Sequence, residues 1–454
     1  MIIGRNSEIN QLGNYYDRDK SQILVVYGQK YIGKTELLKQ FMSDKPGYYY
    51  QCEPLSEREQ RYMLGSWLAK QGVKTMKYPK ISEVFEIFGK MHTQKKVIVF
   101  DEFQNILKSC PDFCDELISF IHSNWNSQEY LFILSSSSVG FVENSLISKI
   151  GEAAFEISGF IKLKELSFAD LREYFSFYTN EDCAVCWSIL GGVPGLWKMF
   201  DVHATVKDNI IKNILSKSGP LFDVAKSLVN EELRETGVYN TILSAISEGK
   251  RKLNELYEHT EFSRAKISVY IKNLMELELV EKVFSTDTEG RDNAQKGLYD
   301  ISNNLVDFYY TFVFGNSSFL EFSSPEEFYA LYVNPGLKAY TGKYYPDICL
   351  EYLERLNLRK KLPVNVEKFG KWIGKQGNID IIGQSESGKT ILALCVYDKA
   401  MLTYEDYEWL LYCAEKAKVS ADFIYLFAGN RFDEKLSLEA KVRKNLKLLL
   451  LDNL

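Results

Sequence analysis

The stretch "ILVVYGQKYIGKTELLKQF" near the N-terminus constrains the fold more than any other part of the sequence. An apolar run typical of a buried strand enters a glycine-rich turn, and the residues after the turn have the apolar spacing of a helix. From Gly28 to Thr35 the turn has the pattern G-x-x-x-x-G-K-T, which folds between a strand and a helix in phosphate-binding loops. The segment therefore predicts an α/β fold with a parallel sheet as its core.

The side chains of this loop predict a site for ATP and Mg²⁺. Gly28 and Gly33 let the backbone wrap closely around phosphates, so that its N–H groups point inward. Lys34 is placed to reach the outer phosphates, and the Thr35 hydroxyl is a ligand for Mg²⁺. The flanking strand and helix make a chance occurrence of the pattern improbable.

Two further strand-like runs carry polar residues at their ends. "KKVIVFDEFQNIL" ends its apolar part at Asp101 and Glu102. We expect Asp101 to hold Mg²⁺ through its water shell and Glu102 to act as the general base that polarises the attacking water. "YLFILSSSS" ends in serines, and Ser137 is the candidate sensor of the γ-phosphate, although the serine run does not single it out.

These segments, with "IIGRNSEINQL" and "LGGVPGLW", resemble successive motifs of the archaeal and bacterial STAND ATPases, a group of AAA+-related P-loop proteins. The resemblance implies that Gly4 and Arg5 lie beside the nucleotide base. It also implies that Gly192 and Pro194, in a helical lid, approach the nucleotide. A helix-terminating turn also explains the run Gly191-Gly192-Val193-Pro194, and the two interpretations are compatible. Related ATPases often assemble when they bind ATP, but no residue here fixes an oligomeric state.

The sequence departs from this family at one position that matters for hydrolysis. The family often carries an arginine after the serine-ended strand, where it contacts the γ-phosphate. No arginine lies between Tyr62 and Leu171 here, and the corresponding segment offers only Lys149. A lysine ammonium cannot reproduce the planar donor fork of an arginine. The sequence therefore supports ATP binding more strongly than fast hydrolysis.

The middle of the chain predicts two helical regions after an ATPase core at residues 1–163. Residues 164–234 have the patterning of a helical lid. Residues 235–318 predict a winged helix-turn-helix and a following helix, with Ser263 as the N-cap of the third helix and "STDTEGRDNAQKG" as the wing.

A weak contact of this winged helix with DNA is slightly favoured over a protein contact or a spacer role. The candidate phosphate ligands are basic residues before the second helix and on the third: Lys250, Arg251, Lys252, Arg264, Lys266 and Lys272. Glu276, Glu278 and Glu281 lie in the same stretch and oppose binding to a polyanion.

Residues 335–454 resemble a PD-(D/E)xK restriction-endonuclease-like domain whose active site is degenerate. Asp380 matches the acidic residue of the family's first strand. The glutamate and lysine of the partner strand fall on Leu394 and Val396, and Pro346 stands where the family has a glutamate, with Asp347 beside it. Metal-dependent cleavage needs clustered carboxylates. We therefore expect a non-catalytic docking module.

The same domain repeats the phosphate-loop pattern from Gly383 to Thr390. Here "TILALCVY" follows the pattern and is rich in β-branched and aromatic residues, which predicts a strand where a phosphate loop needs a helix. We interpret this second copy as the tip of a hairpin and expect one nucleotide per chain, with Lys389 a surface charge.

Composition restricts the class of protein. The 454 residues carry a net charge of −6, and no apolar run reaches the ~18 residues that span a bilayer. We expect a cytoplasmic ATPase with no membrane segment. We interpret the cysteines of "CAVC" and "CPDFC" as buried core residues in preference to metal ligands. Two functions stay open: an ATP-driven switch linked to DNA regulation or defence, and a nucleotide-stabilised scaffold for a protein partner.

Overall fold

The computed structural model describes residues 3–90, 95–124, 129–230, 233, 235–287 and 297–454. The chain divides into two compact units. The first holds Met1–Leu166 together with Val193–Gly195, and the second holds Ser167–Gly192 and Leu196–Leu454. This division is coarser than the four predicted domains, whose boundaries stay predictions.

The first unit is built on a five-stranded parallel sheet in the order β2-β3-β4-β1-β5. Its strands are β1 Gln22–Tyr27, β2 Gly47–Gln51, β3 Lys96–Asp101, β4 Tyr130–Ser136 and β5 Gly159–Lys162. Every residue of β1, β3 and β4 is buried, as is typical of parallel strands covered by helices on both faces. The predicted α/β core is thus confirmed.

Helices cover both faces of this sheet. They are α1 Asn6–Tyr16, α2 Lys34–Met42, α3 Glu57–Lys70, α4 Ile81–Lys90, α5 Gln104–Ser109, α6 Phe113–Ser123 and α7 Leu146–Ile150. A π-helical turn, Phe141–Ser145, precedes α7, and a 3-10 turn, Gly151–Glu156, follows it. Successive residues of a strand face opposite sides, so Val25 joins the apolar cluster on one face and Leu24 the cluster on the other.

Short helices follow in the region predicted to be a lid, and all of them lie in the second unit except the start of α10. They are α8 Phe168–Tyr174, α9 Asn180–Leu190, α10 Pro194–Trp197, α11 Val206–Asn209, a π-helical segment Ile210–Leu215, and α12 Val224–Asn230. Capping boxes start α8 at Ser167 and α9 at Thr179. Cys183 and Cys186 are buried on α9, and Cys110 and Cys114 are buried in the first unit, which confirms that these cysteines are core residues.

The predicted helix-turn-helix follows. It comprises α13 Thr236–Ser247, α14 Leu253–Thr260, α15 Arg264–Glu276, and the antiparallel pair β6 Val280–Val283 and β7 Leu298–Ile301. The Ser263 hydroxyl accepts a hydrogen bond from the Lys266 backbone N–H at 3.2 Å, which confirms Ser263 as the N-cap of α15. Most of the predicted wing, residues 288–296, lies outside the described residues.

A run of helices then leads into the C-terminal sheet. It contains α16 Asn304–Phe308, a π-helical segment Tyr309–Val313, a 3-10 turn Phe314–Asn316, α17 Ser317–Phe322, α18 Pro325–Phe328, a π-helical segment Tyr329–Val333, and α19 Asn334–Leu358. Pro346 lies within α19. No helix in the described ranges combines the length and the apolar content needed to cross a membrane.

The C-terminal domain has a mixed five-stranded sheet in the order β12-β11-β10-β9-β8. Its elements are β8 Val366–Ile373, β9 Asn378–Ser385, β10 Thr390–Val396, α20 Tyr404–Ala417, β11 Phe423–Ala428, α21 Glu434–Val442, β12 Leu446–Leu450 and a terminal 3-10 turn, Leu451–Asn453. Strands β9 and β10 pair antiparallel, with Gly383 opposite Ile391. The second copy of the phosphate-loop pattern is therefore a β-hairpin, as predicted.

Candidate nucleotide-binding site

The loop between β1 and α2 needs glycine at both ends. Gly33 adopts a left-handed conformation with φ 97° and serves as the N-cap of α2. A Cβ atom on Gly28 would lie 2.7 Å from the carbonyl oxygen of Leu163, which is too close for any side chain. Helix α2 begins at Lys34, so the free N–H groups of its first turn face the loop.

Lys34 is folded against this loop. Its ammonium group donates hydrogen bonds to the carbonyl oxygens of Gly28 at 2.9 Å and of Gln29 at 3.2 Å, and its side chain is buried. Burial lowers the pKa of this ammonium, while the nearby carboxylates of Glu102 and Asp101 favour its charged form. A positive charge at the first turn of α2 suits a phosphate ligand.

Asp101, at the end of β3, contacts the loop through Thr35. The Thr35 Oγ1 donates to the Asp101 Oδ2 at 3.1 Å, and the backbone N–H of Glu102 donates to the Asp101 Oδ1 at 3.1 Å. The Tyr49 hydroxyl also donates to the Asp101 Oδ2. Burial and the Asp101 carboxylate raise the pKa of Tyr49, which keeps this hydroxyl a donor. The structure thus brings together the two residues predicted to hold Mg²⁺.

Glu102 and Ser137 lie in direct contact. The Glu102 Oε2 accepts hydrogen bonds from the Ser137 hydroxyl at 2.7 Å, from the Ser137 backbone N–H at 3.1 Å and from the Gln104 Nε2 at 2.5 Å. Glu102 itself has a left-handed backbone, with φ 54°. The predicted base and the predicted γ-phosphate sensor therefore share one hydrogen-bond network at the ends of β3 and β4.

Arg5 is almost fully buried, with 2% of its surface exposed. Its guanidinium bonds to the Glu8 carboxylate at 2.9 Å and to the Ile32 carbonyl oxygen at 3.0 Å. Its Nε has no hydrogen-bond partner among the described residues. Arg5 thus contacts the loop through Ile32, and a role beside the nucleotide base stays a prediction.

The segment Val193–Gly195 lies against the same loop. The Gly195 backbone N–H donates to the Tyr31 carbonyl oxygen at 2.8 Å, and a Cβ on Gly195 would come within 2.5 Å of that oxygen. The Pro194 ring lies 3.5 Å from the position that a Cβ on Gly33 would occupy. The predicted residue Pro194 is therefore at the loop. Gly192, its predicted companion, belongs to the second unit.

Lys149 is held apart from this network. Its ammonium lies 5.3 Å from the centroid of the Phe141 ring. No described hydrogen bond or ion pair joins it to the loop.

The sequence analysis did not identify two members of the site, Tyr49 and Gln104. Neither carries a motif; Tyr49 reaches Asp101 because β2 pairs with β3, which only the sheet order reveals.

Comparison with known proteins agrees with this geometry. A family model described as an ATPase domain predominantly from Archaea matches residues 2–200. The first unit has the fold of a P-loop ATPase domain. A model of bacterial regulatory proteins of the ArsR family matches residues 240–282, which supports the helix-turn-helix, and one of archaeal and bacterial proteins of unknown function matches residues 309–405.

The individual proteins that this chain resembles have low sequence identity to it. The chain is 26% identical over 394 residues to an uncharacterized protein of Methanocaldococcus jannaschii, with 86% of each chain covered. It is similar to the Walker-type ATPase PABY2304 of Pyrococcus abyssi, with a TM-score of 0.49, 18% identity, and coverage of 68% of this chain and 96% of that one.

The Aeropyrum pernix ORC2 protein, solved as ADPNP–ADP complexes, is similar with a TM-score of 0.43 and 14% identity, over 68% of this chain and 92% of that one. Both TM-scores lie below 0.5. The assignment of the ATPase domain therefore rests on the family model and on the loop geometry.

Proposed function

We propose that the ATPase domain binds ATP with Mg²⁺, hydrolyses it, and uses the cycle to switch the state of the protein in the cytoplasm. The contact between the Thr35 hydroxyl and the Asp101 carboxylate, at 3.1 Å, carries this proposal. It couples the start of α2 to the end of β3, which is the pairing that a metal–phosphate complex requires in P-loop proteins.

The donor set suits Mg²⁺. A hydroxyl and a carboxylate are hard oxygen ligands, and Mg²⁺ in nucleotide sites takes few protein ligands because water and phosphate oxygens complete its shell. Thr35 would bind the ion directly and Asp101 through water. When bound, Mg²⁺ neutralises charge on the phosphates. Tyr49 shares the Asp101 oxygen and would hold that carboxylate in orientation.

The roles of the other residues follow from their contacts. Lys34 would exchange its two loop carbonyls for phosphate oxygens, and Gly28 and Gly33 would admit the phosphates to the backbone N–H groups. Glu102 would orient the attacking water, with Ser137 beside it as the γ-phosphate sensor. Arg5 and Pro194 would support the loop through the contacts described above.

Substitution of Glu102 tests the proposal. Glu102→Gln keeps the shape of the side chain but removes its basicity, so we expect ATP turnover to fall by ~10²-fold or more while ATP affinity stays within threefold. Steady-state phosphate release and calorimetric titration measure the two quantities. The surface variant Glu386→Gln, in the C-terminal hairpin, is the control. Unchanged turnover in Glu102→Gln would remove Glu102 from the role of base.

A nucleotide-stabilised scaffold with little turnover is the second candidate, and a specific observation favours it. Among the described residues, three hydrogen bonds reach the Glu102 side chain; all three end on its Oε2 atom, and Ser137 supplies two of them. When the base is held in this way, and no arginine lies from residue 62 to 171 to contact the γ-phosphate, we expect ATP hydrolysis to be slow. ATP turnover measured with and without duplex DNA separates the candidates, since a DNA-linked switch responds and a scaffold does not.

Any DNA contact of the winged helix would be weak. Several of its cations are engaged within the chain: Arg251 with Asp300, Lys252 with Glu255 at 3.4 Å and Lys272 with Glu276 at 3.8 Å. Arg264 lies over the Tyr257 ring and bonds to Asn254 at 3.0 Å. Phosphate contact would require these partners to be exchanged. A protein contact, or a spacer role, accounts for the same helix.

We further propose, on the resemblance of the motifs, that the protein is a STAND-type ATPase and that its C-terminal domain is a nuclease-like fold without nuclease activity. Assembly of several chains on ATP binding belongs to the same proposal. Size-exclusion chromatography of Glu102→Gln with and without ATP tests the assembly, and an unchanged elution volume would count against it.

A further inference from the structure

One edge of the C-terminal sheet collects exposed lysines. The pairing register aligns the strand ends in a row: Val366 lies opposite Ser385, Thr390 opposite Gln384, Ile391 opposite Phe423, and Ile424 opposite Leu446. The starts of β8, β10, β11 and β12 and the end of β9 therefore share this edge. We name as the basic rim the lysines that adjoin it: Lys360, Lys361, Lys389, Lys418 and Lys444.

Each lysine of the basic rim has a defined place. Lys389 directly precedes β10, Lys418 is the C-cap of α20 on the way to β11, and Lys444 lies two residues before β12. Lys360 and Lys361 follow α19. The Asn357 side chain, in the last turn of α19, bonds to both the N–H and the carbonyl oxygen of Val366, at 2.9 and 2.7 Å. The end of α19 is thereby fixed at the start of β8.

The charge of the basic rim is available to a ligand. All five side chains are exposed, and in the described part of the chain none of them makes a salt bridge. Acidic residues also lie along this edge: Glu367, next to the first residue of β8, and Glu386, at the hairpin tip, are both exposed. Asp422 lies near Lys389 and accepts hydrogen bonds from the Thr390 N–H at 2.9 Å and the Ser420 hydroxyl at 2.7 Å. The edge is thus positive on a chain whose net charge is −6.

The dimensions of the edge suit a nucleic acid strand. Neighbouring strands lie ~4.8 Å apart, so the five strands span ~19 Å. One strand of a duplex has a phosphate every ~3.4 Å of helix axis, so the edge covers an axial length of about five base pairs, over which the winding strand turns some of its phosphates toward the lysines. Lysines bind phosphate as point charges and carry no information about base sequence.

A membrane surface fits less well. Leu358 and Val442 are exposed by 85% and 80%, but they end α19 and α21, which lead into the two outermost strands of the sheet. Two apolar side chains at opposite ends of the edge make no continuous surface for insertion into lipid.

We propose that the basic rim binds the phosphate backbone of duplex nucleic acid without base specificity. Asp380 lies inside β9 and Val396 at the far end of β10, so the rim is separate from the positions that resemble a nuclease site. The proposal does not depend on ATP binding, because every residue of the basic rim is in the second unit.

Charge reversal in the full-length protein tests it. Binding of a fluorescein-labelled 24-base-pair duplex is followed by anisotropy between 50 and 200 mM salt. We expect Lys389→Glu/Lys418→Glu/Lys444→Glu to weaken binding at least tenfold at 50 mM salt. The plot of log affinity against log salt concentration should also become less steep. Its slope should change by about 3, because each of the three lost phosphate contacts contributes ~0.9.

A matched control carries the same change in net charge elsewhere: Lys70→Glu/Lys74→Glu/Lys80→Glu, on exposed residues of the ATPase domain. We expect its affinity to stay within threefold of wild type, because the variant leaves all five lysines of the basic rim in place. The neutral variant Lys389→Gln/Lys418→Gln/Lys444→Gln should lose less than the reversed one. Thermal melting of all variants shows that the fold is intact.

Three results would overturn the proposal. The first is absence of duplex binding by the wild type at 50 mM salt. The second is an equal loss in the rim variant and in its control, or a loss found only in Arg264→Ala/Lys266→Ala, which would assign binding to the winged helix. The third is rim-dependent binding to vesicles with 30% phosphatidylserine and none to the duplex, which would assign the rim to lipid.

Discussion

The chain contains the same eight-residue pattern twice, and the two copies fold differently. From Gly28 to Thr35 it joins β1 to α2, and from Gly383 to Thr390 it joins β9 to β10. In the first copy the lysine is buried at the start of a helix, where it bonds to two loop carbonyls. In the second, Lys389 is exposed beside a strand, and the Ser385 N–H and hydroxyl both bond to its carbonyl oxygen.

This difference shows what a phosphate loop needs beyond its glycines and lysine. A helix that starts at the lysine presents several free N–H groups in one direction. In a strand, successive N–H groups point to opposite sides and donate hydrogen bonds to the neighbouring strands, so they do not converge on a ligand. Strand β10 is paired in this way with β9 and β11. The Asp422 carboxylate lies near the second copy and accepts hydrogen bonds from the Thr390 N–H and the Ser420 hydroxyl, but no helix starts there to present N–H groups to a phosphate.

The sharpest test of this comparison changes each lysine in turn. Lys34→Ala removes a charged donor to phosphate, so we expect a loss of roughly 1.5–3 kcal/mol in ATP binding, or ~10- to 150-fold in affinity. Lys389→Ala should leave both the affinity and a stoichiometry of one nucleotide per chain unchanged. Calorimetric titration with Mg·ATP measures both. Two nucleotides per wild-type chain, or equal affinities for all three proteins, would contradict the distinction.

A second test compares carboxylates. Asp101 ends a strand beside Thr35, whereas Asp380 lies inside β9, where burial raises its pKa to about 6. The folded state therefore holds the proton of Asp380 more tightly than the unfolded state. Its contribution to stability is present below pH ~4 and is lost as the pH rises to about 6.

Asp380→Asn should thus stabilise the C-terminal domain by about 1–3 kcal/mol at pH 7 and by little at pH 4. Asparagine keeps an acceptor for the Cys395 N–H, which bonds to Asp380 at 2.8 Å. Thermal melting at both pH values measures the difference, with Glu386→Gln as an exposed control. We also expect no Mg²⁺- or Mn²⁺-dependent cleavage of DNA or RNA. Cleavage that Asp380→Ala abolishes would refute the non-catalytic interpretation.

The smallest expected effect comes from the matched glycines. Gly33 and Gly388 both have positive φ, 97° and 77°, and a Cβ at either position meets no atom closer than 3.5 Å. Alanine at each should cost a similar 1–2 kcal/mol of conformational strain. Only Gly33→Ala should also weaken ATP binding, because only that backbone surrounds phosphate. Comparable binding losses in the two variants would argue against separate roles.

Local patterns were sufficient to predict much of the fold. The phosphate loop, the acidic strand end at Asp101, the helix-turn-helix with its Ser263 cap and the hairpin at Gly383 all depend on neighbours within ~15 residues, which the sequence displays directly. Tyr49 and Gln104 escaped prediction because their partners are set by strand order and by the unusual backbone of Glu102. The placement of Val193–Gly195 against the loop followed only from the resemblance.

The sequence by itself determined which of the two patterns enters a helix, because the apolar spacing after Lys34 is helical and the β-branched run after Lys389 is not. It could not determine what meets at each site. The contact of Thr35 with Asp101, and the five lysines of the basic rim, join segments far apart in the chain. Only the order and register of the strands bring these side chains together, since pairing between distant strands depends on how the whole sheet packs.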